Sequence, residues 1–167
     1  MPLRLGTPRP DLAGATEWIN REPDPEALTG VPVLVHFWAV SCHICHENMP
    51  ALAAWRERYG PLGLAVVAIH MPRQESDTDV ERVREDVRAL GLTEPCAIDN
   101  THALADAFDN RFVPAYFLFD REGRLRSRAA GDAGLAMLER ALAREFHAAD
   151  AGDPNVDLSI GQNKRPG

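Results

Sequence analysis

The chain has 167 residues, of which 45% are hydrophobic and 26% are charged, a composition typical of one globular domain and not of a disordered or fibrous protein. The formal net charge of -7 gives an acidic surface that repels phosphate backbones, so no nucleic-acid partner is expected. No stretch approaches the ~18 consecutive apolar residues of a membrane span and the N-terminus shows no secretory signal, so the sequence as it stands predicts a cytoplasmic protein, or an extracytoplasmic one if a signal or anchor was removed.

The first part of the chain predicts a strand followed by a helix. Residues 1–30 are rich in proline and glycine and predict a loop with a short edge strand at Trp18–Ile19. The β-branched and aromatic run Val31–Trp38 predicts a buried strand. A helix is expected over His43–Tyr59, and Pro50 predicts a kink in it because proline lacks the N–H of a regular helical hydrogen bond.

The middle of the chain continues the alternation. Leu64–Ile69 predicts a second buried strand, and the apolar stripe of Asp77–Leu90 predicts a second helix. Pro95–Ile98 is a candidate for a short strand. Thr101–Phe108 predicts a short helix with Thr101 as its N-terminal cap.

The last part of the chain predicts a hairpin and a final helix. Phe112–Phe119 is strongly strand-like, and a turn at 120–123 allows Leu125–Ala129 to pair back with it. The final helix is expected over Ala133–Phe146. The polar stretch 148–167 predicts a flexible C-terminal tail.

This order of elements predicts an α/β fold with a mixed central sheet covered by helices on both faces. A strand–helix–strand beginning requires parallel strands with a right-handed crossover, and the hairpin adds an antiparallel edge. We assign residues 1–147 to one domain with its core at about 15–146.

Cys42 and Cys45 form a Cys-x-x-Cys unit where the first buried strand gives way to a helix. The free N–H groups and partial positive charge of a helix N-terminus stabilise a thiolate, and lower a cysteine pKa from ~8.5 toward ~7. The thiolate is the attacking species in disulfide exchange, and the second cysteine, about one turn away, can close a disulfide and release a bound substrate. Cys96 stands alone in an apolar setting and is expected to be a small buried hydrophobe, with a third redox thiol as the alternative.

Four segments carry a combination of residues that extends beyond the two cysteines. They are Trp18-Ile19-Asn20, Phe37-Trp38 followed by Ser41-Cys42 and Cys45, Ala68-Ile69-His70-Met71-Pro72, and Ala97-Ile98-Asp99-Asn100 ahead of Phe112-Val113-Pro114-Ala115. Together they resemble the thioredoxin superfamily, and within it the TlpA-like branch and the C-terminal thioredoxin-like domains of DipZ-type proteins. The resemblance implies a thioredoxin-like sheet with an N-terminal extension and a TlpA-type insertion, and a thiol–disulfide oxidoreductase that acts on protein or small-molecule disulfides.

The resemblance also implies roles for particular residues. Cys42 and Cys45 become the catalytic pair, and Ser41, Val113 and Pro114 become substrate-binding residues. In this superfamily the peptide bond before the corresponding proline is cis and faces the cysteines, which presents the preceding backbone to an extended substrate. The implied reaction needs no bound organic cofactor and no metal, only disulfide-containing substrates and an upstream electron donor or acceptor.

The sequence departs from thioredoxins proper around this site. His36 stands where they have a buried aspartate, and either moves the proton of the second cysteine or is a hydrogen-bonded core histidine. His43 and Ile44 replace the Gly-Pro between the cysteines, a dipeptide that tunes the redox potential. Trp38 is expected to support the site by packing, so these four residues are assigned to tuning.

Two other functional classes fit the same cysteines. Cys42 to His46 match the Cys-x-x-Cys-His signature of c-type haem attachment, with His46 as axial ligand. Cys42, Cys45 and His46, with His43, also offer soft ligands for zinc or copper, although no second ligand pair is visible. A peroxidase is disfavoured because no threonine of the peroxidase type precedes a lone cysteine.

Overall fold

The computed structural model describes residues 3–151, and its centre is a mixed sheet of six strands. The strands are β1 (Glu17–Ile19), β2 (Val33–Trp38), β3 (Ala65–His70), β4 (Cys96–Ile98), β5 (Ala115–Phe119) and β6 (Leu125–Ala130). Their order across the sheet is β1-β4-β3-β2-β5-β6. Strands β2, β3 and β4 run parallel, whereas β1, β5 and β6 are antiparallel to their neighbours. The predicted parallel beginning and antiparallel hairpin are confirmed.

Four α-helices accompany the sheet. They are α1 (His43–Tyr59), α2 (Val80–Leu90), α3 (Ala103–Ala107) and α4 (Leu135–Ala151), with 3₁₀ turns at Pro25–Leu28, Gly60–Leu62, Glu75–Thr78 and Asp132–Gly134. Helix α4 continues four residues into the stretch 148–167 that the sequence assigned to a tail, and residues 152–167 lie outside the described part of the chain. None of the described helices is long and apolar enough to cross a membrane.

Side chains of the sheet divide between two cores because successive residues of a strand point to opposite faces. Leu34 and Trp38 of β2 lie in the core that α1, α2 and α4 cover. Val35 and Phe37 lie in the opposite core, which α3 and the N-terminal segment cover. There the rings of Phe37 and Phe108 meet edge to face, with their centroids 5.3 Å apart. The predicted cover of helices on both faces is therefore confirmed.

Three helix starts differ from the sequence prediction: α4 begins at Leu135 and not at Ala133, because a 3₁₀ turn over Asp132–Gly134 precedes it, and α2 and α3 also begin later. Helix α2 begins at Val80 and not at Asp77. The Asp77 side chain is fully buried in the preceding 3₁₀ turn, where it accepts hydrogen bonds from the Ser41 hydroxyl and the Arg73 backbone N–H. Helix α3 begins at Ala103, and Thr101 does not cap it. The carboxylate of Asp99 instead accepts the first free N–H groups, from Leu104 at 2.8 Å and Ala105 at 2.9 Å.

The penultimate strand also starts later than predicted. Strand β5 begins at Ala115 and not at Phe112, whose side chain is 68% exposed. Pro114, directly before the strand, has no N–H to donate to a neighbouring strand. Residues 112–114 therefore form a loop next to the sheet, in which Phe112 is exposed, Val113 is half-buried and Pro114 is buried.

Candidate redox site

The Cys-x-x-Cys unit lies where the sequence predicts, between the end of β2 and the start of α1. Cys42 is the N-cap residue of α1, and its Sγ accepts the backbone N–H of Cys45 at 3.1 Å. The two cysteines form a disulfide with their Cα atoms 5.2 Å apart. Both residues are buried, Cys45 more fully than Cys42. A sulfur that accepts a hydrogen bond at a helix N-terminus is placed where a thiolate is stabilised after reduction.

The peptide bond between Val113 and Pro114 is cis. Ala115, the next residue, pairs with Phe37 near the end of β2. The cis peptide therefore lies at the same end of the sheet as the loop that leads to Cys42. Val113 is half-buried and contacts both cores.

Ser41 is held by two residues that sequence reasoning did not identify. Its hydroxyl donates to Asp77 Oδ2 at 2.7 Å, and Asp77 Oδ2 also accepts the backbone N–H of Arg73 at 2.9 Å. The Arg73 side chain donates from Nη2 to the Ser41 carbonyl oxygen at 2.6 Å and from Nε to Ser41 Oγ at 3.3 Å. The segment that follows β3 thus fixes the residue directly before Cys42.

His70 holds the same loop one residue earlier. Its Nε2 accepts the backbone N–H of Val40 at 3.1 Å, and its ring meets the Trp38 ring edge to face at 5.0 Å. Burial lowers the pKa of His70 to about 4, although the nearby Asp77 carboxylate opposes this shift. The ring is therefore neutral near pH 7 and acts as a fixed hydrogen-bond acceptor. Trp38 is fully buried and packs as expected.

His36 is buried in β2, two residues before Trp38. It is the first member of a chain of contacts that continues through Glu94 to Arg56. Its Nε2 lies 2.7 Å from Glu94 Oε2, and Glu94 Oε1 lies 3.0 Å from Arg56 Nη1 of α1. Burial raises the pKa of Glu94, but the hydrogen bond and charge of His36 and the charge of Arg56 outweigh it, so the pKa lies below its usual range. A hydrogen-bonded core histidine is thus present, and its partner lies 58 residues away in the sequence, where no local pattern marks it.

The residues between the cysteines face solvent. His43 is exposed and its Nε2 lies 2.9 Å from Glu47 Oε2 one turn along α1, and Ile44 is also exposed. His46 is half-buried and pairs with Asp86 of α2 at 3.1 Å. His43 and Ile44 are therefore placed to meet whatever approaches the disulfide.

The alternatives of a metal or haem site gain no support. Within residues 3–151 no group of three or more His, Cys, Asp or Glu side chains is arranged to hold a metal ion. Cys96 is fully buried in β4, and burial raises the pKa of its thiol to about 12, so it has the environment of an inert core residue.

Comparison with known proteins agrees with this geometry. Residues 6–128 match the AhpC/TSA family. The chain belongs to this family. It is 44% identical over 143 residues to the thiol-disulfide oxidoreductase YkuV of Bacillus subtilis, which covers 85% of this chain and 96% of YkuV. It is 35% identical over 127 residues to the protein DipZ of Mycobacterium bovis, a match that covers 74% of this chain but only 18% of DipZ.

Solved structures of thioredoxin-like proteins superpose on this chain. The solution structure of a thioredoxin-like protein in the oxidised form superposes with a TM-score of 0.80 at 43% identity, over 87% of this chain and 99% of that chain. The crystal structure of a putative thiol:disulfide interchange protein DsbE from Chlorobium tepidum superposes with a TM-score of 0.75 at 22% identity, over 86% and 99% of the two chains, and supports the fold alone. The chain is a thioredoxin-like thiol–disulfide oxidoreductase with a Cys42–Cys45 disulfide, and the predicted fold, family and reaction class are confirmed.

Proposed function

We propose that the chain exchanges disulfides with extended protein segments, and that Cys42 is the nucleophile. The observation that supports this most directly is the hydrogen bond from Cys45 N–H to Cys42 Sγ at the first turn of α1, at the same end of the sheet as the cis peptide before Pro114. In the reduced protein the Cys42 thiolate attacks one sulfur of a substrate disulfide, which forms a mixed disulfide and releases the first substrate thiolate. The Cys45 thiolate then attacks Cys42 Sγ, which releases the second substrate thiolate and closes the Cys42–Cys45 disulfide. An oxidase runs the same steps in reverse.

Substrate binding in this proposal uses the backbone around Val113 and the fixed loop at Ser41. The half-buried Val113 next to a cis proline leaves its backbone beside the site, where an extended substrate segment can pair with it. Exposed Ile44 supplies apolar contact on the other side of the disulfide. The reaction requires no bound organic cofactor, only an electron donor or acceptor that recycles the pair.

A redox titration of the oxidised protein in dithiothreitol or glutathione buffers tests the function. Thiol alkylation and mass measurement count reduced Cys42 and Cys45 at each potential. A reversible two-electron transition near about −270 mV indicates a reductase, and one near about −120 mV indicates an oxidant. If no reversible disulfide forms, the proposed function is wrong.

A trapping experiment tests the order of the two cysteines. The Cys45→Ser variant is expected to accumulate mixed disulfides at Cys42, because the resolving thiol is absent. Its matched control is Cys42→Ser, in which the buried Cys45 is expected to trap far less. Equal trapping by both variants contradicts the assignment of Cys42 as nucleophile.

A further inference from the structure

The guanidinium of Arg73 is anchored at the rim of the redox site. Two of its N–H groups bind the carbonyl and hydroxyl oxygens of Ser41, the residue directly before Cys42. A guanidinium has five N–H donors, so three remain for other partners. The Arg73 residue as a whole is exposed. A fixed cation thus faces solvent next to Ser41, the residue that precedes the nucleophilic Cys42.

The carboxylate nearest to Arg73 in the network does not neutralise this cation directly. Asp77 is fully buried, and its Oδ2 is taken by the Ser41 hydroxyl and by the backbone N–H of Arg73. Among the described residues, no carboxylate oxygen lies within 4.0 Å of a side-chain nitrogen of Arg73. The guanidinium is therefore held by neutral oxygen atoms on one side and is available to an anion on the other.

We propose that Arg73 is a specificity-determining residue that selects disulfides with a carboxylate group next to the reacting sulfur. This rests on the proposed attack by Cys42, because a substrate sulfur in line with Cys42 brings its flanking groups next to the Ser41 carbonyl. The carboxylate can belong to an acidic side chain of a protein or to a small disulfide. Arginine suits this task because its planar fork binds a carboxylate through two parallel hydrogen bonds.

The net charge of the chain and the charge of Arg73 predict opposite preferences between anionic and neutral disulfides. At -7 the protein as a whole repels anions, so its overall field alone predicts that anionic disulfides react more slowly than neutral ones. Arg73 predicts the opposite preference at short range. The two contributions separate when only Arg73 is changed.

The test compares two small disulfides with the reduced protein. Dithiobis-nitrobenzoate carries a carboxylate on each ring, and dithiodipyridine is uncharged near neutral pH. In each case the reduced Cys42–Cys45 pair is oxidised to its disulfide, the reagent is reduced to two aryl thiolates, and the Cys45 proton passes to a released thiolate or to solvent. The ratio of the two rate constants removes any change in Cys42 reactivity that is common to both reagents.

Arg73→Gln is expected to lower the ratio of anionic to neutral rate constants about fivefold, the size of one partly exposed ion pair. Arg73→Lys keeps the positive charge and is expected to restore at least half of the loss on a logarithmic scale. The matched control is Arg58→Gln, which removes the same charge from the last turn of α1, about 24 Å along the helix from Cys42. The wild-type preference is also expected to weaken as salt is added, and the Arg73→Gln ratio to change less.

Two peptides with one disulfide each, flanked by aspartates or by lysines, extend the test to protein-like substrates. Faster reduction of the aspartate peptide by wild type, lost in Arg73→Gln, supports selection of acidic protein segments. A preference seen only with dithiobis-nitrobenzoate supports the same site with small disulfides as its substrates. A ratio that is equal in wild type, Arg73→Gln and Arg58→Gln overturns the inference. If wild type reduces none of the disulfides, the proposed function itself is wrong.

Discussion

Replacing Glu94 with Gln is expected to reveal how strongly the buried ion-pair chain stabilises the fold. Glu94 is nearly inaccessible and touches both His36 and Arg56, so the variant leaves the largely buried Arg56 without its counter-charge. Removing one partner of a buried pair costs about 3–5 kcal/mol. We therefore expect the free energy of unfolding at pH 7 to fall by about this amount.

The pH dependence of this loss has a definite sign. The pKa of Glu94 is lowered in the folded state, so its ionised form contributes stability that is present above the unfolded pKa of 4.5 and is lost as pH falls through the folded value. The difference between wild type and Glu94→Gln is therefore expected to be full near pH 7 and to shrink below pH 4.5.

Urea unfolding of the oxidised proteins, followed by tryptophan fluorescence at several pH values, measures both effects. The matched control is Glu57→Gln, which removes a carboxylate from the exposed side of α1 and is expected to stay within about 0.5 kcal/mol of wild type. A Glu94→Gln protein as stable as the control at pH 7, or a loss that grows as the pH falls, refutes the reasoning.

Three further outcomes follow from the buried polar groups. His70→Gln keeps an acceptor for the loop but does not titrate. Because burial lowers the pKa of His70 to about 4, the free energy of unfolding of wild type is expected to fall by up to about 3 kcal/mol between pH 6.5 and pH 4, and that of the variant by less. Urea unfolding that shows the same pH dependence for both proteins contradicts this. Asp99→Ala is expected to destabilise the protein by about 1–2 kcal/mol through loss of the α3 cap, whereas Thr101→Ala is expected to stay within about 0.5 kcal/mol of wild type. Equal melting temperatures of the two variants exclude Asp99 as the cap of α3. Cys96 is expected to resist iodoacetamide at pH 8 in the native protein and to react in urea, and rapid native labelling by mass measurement argues against its inert environment.

The parts of the structure that local sequence encodes were predicted well. The predicted bounds of α1, His43–Tyr59, agree with the structure. The residues that determine them, an apolar face, the cap Cys42 and the terminating Gly60, are all close together in the sequence. The parallel pairing of β2 with β3 and the antiparallel hairpin of β5 and β6 followed from the alternation of strands and helices with a final hairpin, whereas the order of the strands across the sheet was not predicted. The Cys-x-x-Cys unit likewise combines two neighbours in sequence that are neighbours in space.

The supporting shell of the site was not predictable in the same way. Ser41 and Asp77 are 36 residues apart, and His36 and Glu94 are 58 residues apart, so each contact exists only after the sheet has formed. The sequence around Asp77 also fits the start of an amphipathic helix, so Asp77 was predicted as the first residue of that helix and not as a buried residue. Strand β5 was placed too early because Phe112 and Val113 have strand-forming side chains, although the following proline cannot join the ladder.

The ties between the redox loop and the segment after β3 bear on attempts to move this active site into another protein. Val40 and Ser41 are held by His70, Arg73 and Asp77, which lie at the end of β3 and in the turn after it. A graft of the Ser-Cys-His-Ile-Cys pentapeptide alone would leave those hydrogen-bonding partners behind. The transferable unit therefore consists of two pieces, residues 39–46 and residues 70–79, and a chimaera that carries both is expected to reproduce the donor's redox potential more closely than one that carries the first alone.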